Sequence, residues 1–153
     1  MDNAEKIAAK AGNFQLSCFY IGEALCGIDI DQVQEINKQI SFTEVPHAPE
    51  YVLGIMNLRG RIVTIIDLAK KLGLGLSNLT EESRIIIVSS KEEHIGLLVD
   101  KITDVIMADW KQVAPPPSNI KGVQGKYFQG VLNVKNKLVA ILDVEEVLAV
   151  ERG

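Results

Sequence analysis

His47, His94, Cys18 and Cys26 are the side chains best suited to bind a metal or carry a nucleophile, and they are the only two histidines and two cysteines in the chain. A zinc or catalytic site needs such groups at short, regular separations, as in a helical H-E-x-x-H. Here His47 sits between prolines in VPHAP and His94 in the charged stretch KEEH. Both are expected on surface loops. Cys18 alternates with Phe14, Leu16 and Tyr20 along FQLSCFYI, which places it on one strand face as a small core group. Eight positions separate it from Cys26, which is neither a metal spacing nor a disulfide framework. No G-x-S-x-G elbow or G-x-x-x-x-G-K-[ST] phosphate loop occurs, and the glycines of GLG at Gly73 to Gly75 end a helix rather than begin one. Acid and base pairs fare no better, because the carboxylates fall on turns and caps. No metal, cofactor or catalytic residue is expected.

The remaining polar residues with distinctive spacing lie inside apolar runs, and an internal repeat explains them. GIMNLRGRIVTIIDLAKKL (Gly54 to Leu72) aligns without gaps on GVLNVKNKLVAILDVEEVL (Gly130 to Leu148), an offset of 76 (130 − 54). GIDIDQVQEI (Gly27 to Ile36) aligns on GLLVDKITDV (Gly96 to Val105), an offset of 69 (96 − 27). A longer loop in the second half, APPPSNIKG, absorbs the difference. In each half a Gly-led strand turns at a polar pair, Arg59-Gly60 or Lys135-Asn136, into a second apolar strand. Each hairpin ends in an aspartate, Asp67 or Asp143, placed to cap a short helix. Asn57 and its counterpart Asn133 are placed to tie the turns to neighbouring backbone, and Gly54 and Gly96 to permit close strand approach.

The result is a mostly β fold of two pseudo-repeated, five-stranded barrel lobes with short helices. Residues 14–150 form one domain, with lobes at about 14–80 and 81–150, and the N-terminal strand is free to cross between them. Residues 1–13 form a tail, either a frayed helix or a mobile segment. At 153 residues and 47% hydrophobic the chain can bury a sizeable core. A net charge of -4 gives no general attraction to nucleic acid or anionic membranes. No apolar run is long enough for a secretory signal or a membrane span, which points to the cytoplasm.

The run VPHAPEYVLGIMNLRGRIVTIIDLAKKLG, with YIGEALCGIDIDQVQEI before it and GLLVDKITDVI after it, resembles the CheW family of bacterial chemotaxis coupling proteins from about Phe14 to Leu148. Thr64, where the family often has proline, and Cys26, where an aromatic is common, depart from the pattern at packing positions. The resemblance implies two packed five-stranded barrels and no catalysis. It also implies an adaptor binding the cytoplasmic tip of methyl-accepting chemoreceptors and the regulatory domain of the histidine kinase CheA, with further CheW copies as ring neighbours. The chain carries no phosphoacceptor, kinase or receiver segment, so a stand-alone coupling protein is expected. Rival readings are an adaptor for a related motility pathway and a small-molecule-binding or hydrolytic β-barrel.

Under that resemblance the interface candidates are Val33, Glu35, Ile36, Arg59, Val99 and Val105, with core packing as the competing reading for the apolar ones. Glu35 lies between apolar neighbours in VQEI, where a carboxylate needs a partner. Arg59, beside Gly60 in the Asn-Leu-Arg-Gly motif, is the expected one.

Overall fold

The computed structural model describes residues 3–149 except 76, 78 and 92. Residues 1 and 2 of the expected tail and residue 150 at the end of the expected domain lie outside the described residues. Helix α1 (Asn3–Ala8) precedes β1 (Asn13–Ile21), β2 (Ala24–Asp29), β3 (Val33–Asn37), β4 (Val52–Leu58), β5 (Arg61–Asp67) and α2 (Leu68–Lys71). The second repeat supplies β6 (Arg84–Ser90), β7 (Glu93–Val99), β8 (Lys101–Asp109), the two-residue strands β9 (Asn119–Ile120) and β10 (Val123–Gln124), β11 (Phe128–Val134), β12 (Lys137–Leu142) and α3 (Val144–Leu148).

The strands form two five-stranded sheets, β11-β12-β2-β1-β8 (barrel 1) and β3-β6-β7-β5-β4 (barrel 2), beside the β9-β10 pair. Repeat-equivalent strands occupy equivalent places, because β1, β2, β3, β4 and β5 correspond to β6, β7, β8, β11 and β12. The register repeats too: Cys18 pairs with Gly27 as Ile87 pairs with Gly96. Each barrel nevertheless takes its first two strands from one repeat and its last three from the other. The division near residue 80 therefore separates the repeats but not the sheets. After β2 a single 3-10 turn, Ile30–Gln32, capped by the Asp29 carboxylate, sends the chain into the other sheet, where β3 pairs with β6. Crossing thus involves both β1 and β2, a wider exchange than the N-terminal strand alone.

Each barrel closes by the same device. Beyond β3 the chain bridges β4 at Thr43 and Ile55, and beyond β8 it bridges β11 at Ala114 and Val131, so neither hairpin edge is left bare. The bridge needs Gly54, where an added Cβ would fall 2.2 Å from the Thr43 carbonyl oxygen. Gly96 meets the ends of Ile65 and Ile85 in the same close manner inside barrel 2.

Three apolar clusters follow. Phe14, Leu16, Leu132 and Ile141 help fill barrel 1, where Phe14 stacks on Trp110 at 4.1 Å between ring centroids. Val63, Ile65, Ile85 and Leu98 help fill barrel 2. The third cluster lies between the barrels and takes residues from both sheets and both helices α2 and α3. Its 22 buried residues outnumber those of the two interiors together, so the barrels share a core rather than merely touch. Of the two forms open to the N-terminal segment, residues 3–8 take the helical one. Ile7 packs on the barrel 1 cluster, and Lys10 Nζ sits 4.3 Å from the centroid of the Trp110 ring and 3.2 Å from Gln129 Oε1.

Candidate functional site

The site is assembled at a hairpin turn. Arg59 and Gly60 both take positive φ, 52° and 84°, the geometry of a two-residue turn whose twist matches its flanking strands. Asn57 Oδ1 accepts the Gly60 N–H at 2.9 Å and fixes the turn. The second hairpin repeats the geometry with Lys135 at 49° and Asn136 at 66°, though no side-chain bond from Asn133 occurs among the described residues. So held, Arg59 projects toward β3, and its Nη1 lies 2.5 Å from Glu35 Oε2. Since β3 and β4 are the two edges of the barrel 2 sheet, the pair spans the gap between them. Glu35 is half-shielded while the Arg59 side chain is 77% exposed, so the cation is presented outward with its partner beneath it.

A second bridge lies on the same barrel. Arg61 Nη1 lies 2.5 Å from His94 Nε2, with the guanidinium as donor. His94 stands on β7 rather than on a loop, a correction to the sequence expectation: the charged stretch KEEH ends inside a strand. His47 is exposed in a loop, as its prolines suggest.

Ile36 on β3 is 42% exposed and its repeat equivalent Val105 on β8 is 53% exposed. Val33 is half-buried at the border of the shared core. Val99 has no exposed surface and belongs to that core, so it offers nothing to a partner; the last residues of β7 are buried on both faces. Sequence reasoning did not single out Ile62 and its equivalent Leu138, 61% and 44% exposed on β5 and β12. An apolar residue recurring just after both turns was the available signal.

Asp67 and Asp143 cap α2 and α3, accepting from the Lys70 and Glu146 N–H groups respectively. Between the barrels, a cleft of about 500 Å³ is bordered by Tyr20, Leu74, Asp100 and Lys101, and Asp100 Oδ2 accepts the Gly22 N–H at 2.7 Å across the repeats. Burial, with a smaller contribution from the Asp104 charge, pushes the Cys18 thiol up to about 11. Burial, followed by the neighbouring Cys18, pushes Cys26 up to about 12. Thiols so shifted stay protonated at neutral pH and are poor nucleophiles. Among the described residues no group of three or more metal-ligating side chains comes together.

Twin barrels sharing one core, with an ion-paired turn on one of them and exposed apolar residues on the strands of both, define an interaction domain. Residues 15–152 match the model of the CheW-like domain. The chain is 30% identical to the chemotaxis protein CheW of Rhizobium meliloti, over 99% of this chain and 97% of that protein. It is 33% identical to the chemotaxis protein CheW of Treponema pallidum, over 94% and 86%. The crystal structure of the scaffolding protein TtCheW from Thermoanaerobacter tengcongensis superposes with a TM-score of 0.83 at 33% identity, over 92% of this chain and 91% of that one. The chain belongs to the CheW family. It is accordingly a non-enzymatic adaptor of chemotaxis signalling.

Proposed function

We propose that the chain joins the cytoplasmic tips of methyl-accepting chemoreceptors to the regulatory domain of the histidine kinase CheA, in the cytoplasm at receptor arrays. Residues 14–150 act as one domain in this role. Glu35 and Arg59 form the polar centre of the contact surface, and Val33, Ile36 and Val105 supply apolar anchors. Val99 is left out because it is fully buried.

The observation that carries this reading is the Glu35–Arg59 pair. An arginine held in a fixed turn by a half-shielded carboxylate meets a partner with its geometry already set, which lowers the ordering cost of binding. Arginine and large apolar groups at the centre of a contact are the usual carriers of binding energy. Equivalent edges on the two barrels, marked by Ile36 and Val105, let one copy meet two neighbours through similar surfaces. Such head-to-tail contacts close into rings, with the kinase domain or further CheW copies as neighbours. Among the described residues no helix is long and apolar enough to cross a membrane.

A pull-down with purified CheA and receptor cytoplasmic fragments tests the proposal. The wild-type chain is expected to retain both, and folded Arg59→Ala or Glu35→Ala variants to retain at least one of them about tenfold less well, the equivalent of about 1.4 kcal/mol. Retention of neither by the wild-type chain would overturn the proposal. Retention of kinase without any chemoreceptor would point instead to an adaptor of a related motility pathway.

A further inference from the structure

The two barrels share one plan, so each residue around one mouth has a counterpart around the other. In barrel 2, Glu35 holds Arg59 across the gap between the edge strands, and Arg61 on β5 bonds His94 on the neighbouring β7. The counterparts in barrel 1 are Asp104, Lys135, Lys137 and Leu25: aspartate for glutamate, lysine for each arginine, leucine for histidine. One level deeper, Cys18 stands where Ile87 fills barrel 2. Neither bridge is reproduced, and no ion pair joins Asp104 to Lys135 among the described residues.

What barrel 1 has instead is a cup of about 400 Å³. Its apolar lining is Cys18 and Val139, which belong to the barrel 1 interior cluster, and Leu25, Ile106 and Val134, half-buried residues packed against that cluster, so the cup opens onto the core. Its rim carries Lys101, Lys135 and Lys137 against the single carboxylate of Asp104. Lys101 is engaged by Glu82 at 3.4 Å, while Lys135 and Lys137 form no ion pair among the described residues. A cationic rim on a chain of net charge -4 is a local departure from the average surface. Burial keeps the Cys18 thiol protonated at neutral pH, so the floor adds no negative charge.

We propose that this cup binds a small amphipathic anion, a medium-length hydrocarbon chain ending in a carboxylate, with the chain in the mouth of barrel 1 and the carboxylate between Lys135 and Lys137. The volume lies toward the lower end of the roughly 300–1,000 Å³ usual for small-molecule sites, and an apolar wall with a few convergent charges is their usual composition. A cup at a barrel end accepts one chain end rather than an extended segment, which favours a small molecule over a peptide. The two lysines select a carboxylate over an alcohol or an ammonium of the same length.

Decanoate is the probe, titrated calorimetrically into the intact chain. The expected result is binding of one decanoate per chain. Decanol and decyltrimethylammonium are expected to bind at least about fivefold more weakly, as is decanoate to a Lys135→Ala, Lys137→Ala double variant. Cys18→Ile, which copies the barrel 2 residue into the cup, is expected to abolish binding with the circular dichroism spectrum unchanged. The surface lysine variants keep the test decisive if the isoleucine variant misfolds. No binding of decanoate, equal binding of decanol, or indifference to the lysine substitutions overturns the proposal.

Discussion

Arg59 and Glu35 lie 24 residues apart in the chain and 2.5 Å apart in space, joining the turn beyond one edge strand of barrel 2 to the opposite edge strand. An exposed ion pair contributes about 0–1 kcal/mol, since water screens it and ordering two long side chains opposes it. With Arg59 77% exposed, the pair belongs at the low end. Arg59→Ala is therefore expected to lower unfolding stability by less than about 1 kcal/mol, and a Glu35→Ala, Arg59→Ala double-mutant cycle to give a coupling of a few tenths of a kcal/mol. Urea titration of the four proteins measures both. A loss above about 2 kcal/mol would make the pair a structural clamp rather than a presented contact.

The two helix caps are equivalent in sequence and unequal in surroundings. Asp143 accepts one backbone N–H, from Glu146 at 3.1 Å. Asp67 accepts the Lys70 N–H at 3.3 Å and also the Ser77 N–H at 2.9 Å and hydroxyl at 2.6 Å, and it is 1% exposed. Loss of a simple cap costs about 1 kcal/mol, whereas stripping a buried acceptor leaves further donors unsatisfied at about 1–3 kcal/mol. Asp143→Ala is expected to destabilise by about 1 kcal/mol and Asp67→Ala by roughly 3 kcal/mol, read as a larger fall in the urea midpoint. Equal losses would show that Ser77 adds nothing.

What could be read from the sequence was what local chemistry decides. The duplication, the hairpin turns and the aspartate caps each depend on a few adjacent residues, and each stands in the structure where the spacing put it. The partner of Glu35 was also legible, because a carboxylate between apolar neighbours needs one. Strand exchange was only partly legible. Two similar repeats offer β3 equivalent partners in either sheet, and nothing in VQEIN itself distinguishes them; the choice rests on how the 3-10 turn after β2 aims the chain. Of the two readings open to Val99, core packing is the one its burial favours, because β7 ends as a continuous buried run in which alternation gives no outward face. Ile62 was missed for the converse reason, since in an apolar run such as RIVTIID the exposed face is set by what packs on the sheet.

Gly54 and Gly60 stand six positions apart on one hairpin, yet they tolerate a side chain differently. At Gly60, φ is 84° and an added Cβ meets nothing within 4 Å, so alanine incurs only the left-handed backbone penalty, about 1–2 kcal/mol. At Gly54 the Cβ would lie 2.2 Å from Thr43 O, and Thr43 cannot retreat without breaking its two backbone bonds to Ile55, at 2.7 and 2.8 Å. Gly54→Ala is expected to destabilise by about 3 kcal/mol or more and Gly60→Ala by about half as much. Comparable midpoints for the two variants in thermal or urea unfolding would contradict the close approach that closes barrel 2.

The thiols make stability depend on alkaline pH. Burial raises Cys26 from its ordinary 9.0 to about 12, and Cys18 from 9.0 to about 11. A group whose pKa is raised by folding contributes its full stabilisation below the unfolded-state value. Above about pH 9 the unfolded chain gives up the thiol proton while the folded chain keeps it, so stability falls as pH rises toward the folded values. One such thiol has a limiting slope of about 1.4 kcal/mol per pH unit. Between about pH 8 and 10 the two thiols contribute nearly equally, because the folded value of each lies above that window. Urea unfolding of the wild-type chain between about pH 8 and 10 is expected to show this decline, and Cys26→Ala, though less stable at neutral pH, a shallower one. A slope unchanged by Cys26→Ala would assign the alkaline loss to other groups and leave Cys26 without the proton that its burial at the interface of the two barrels demands.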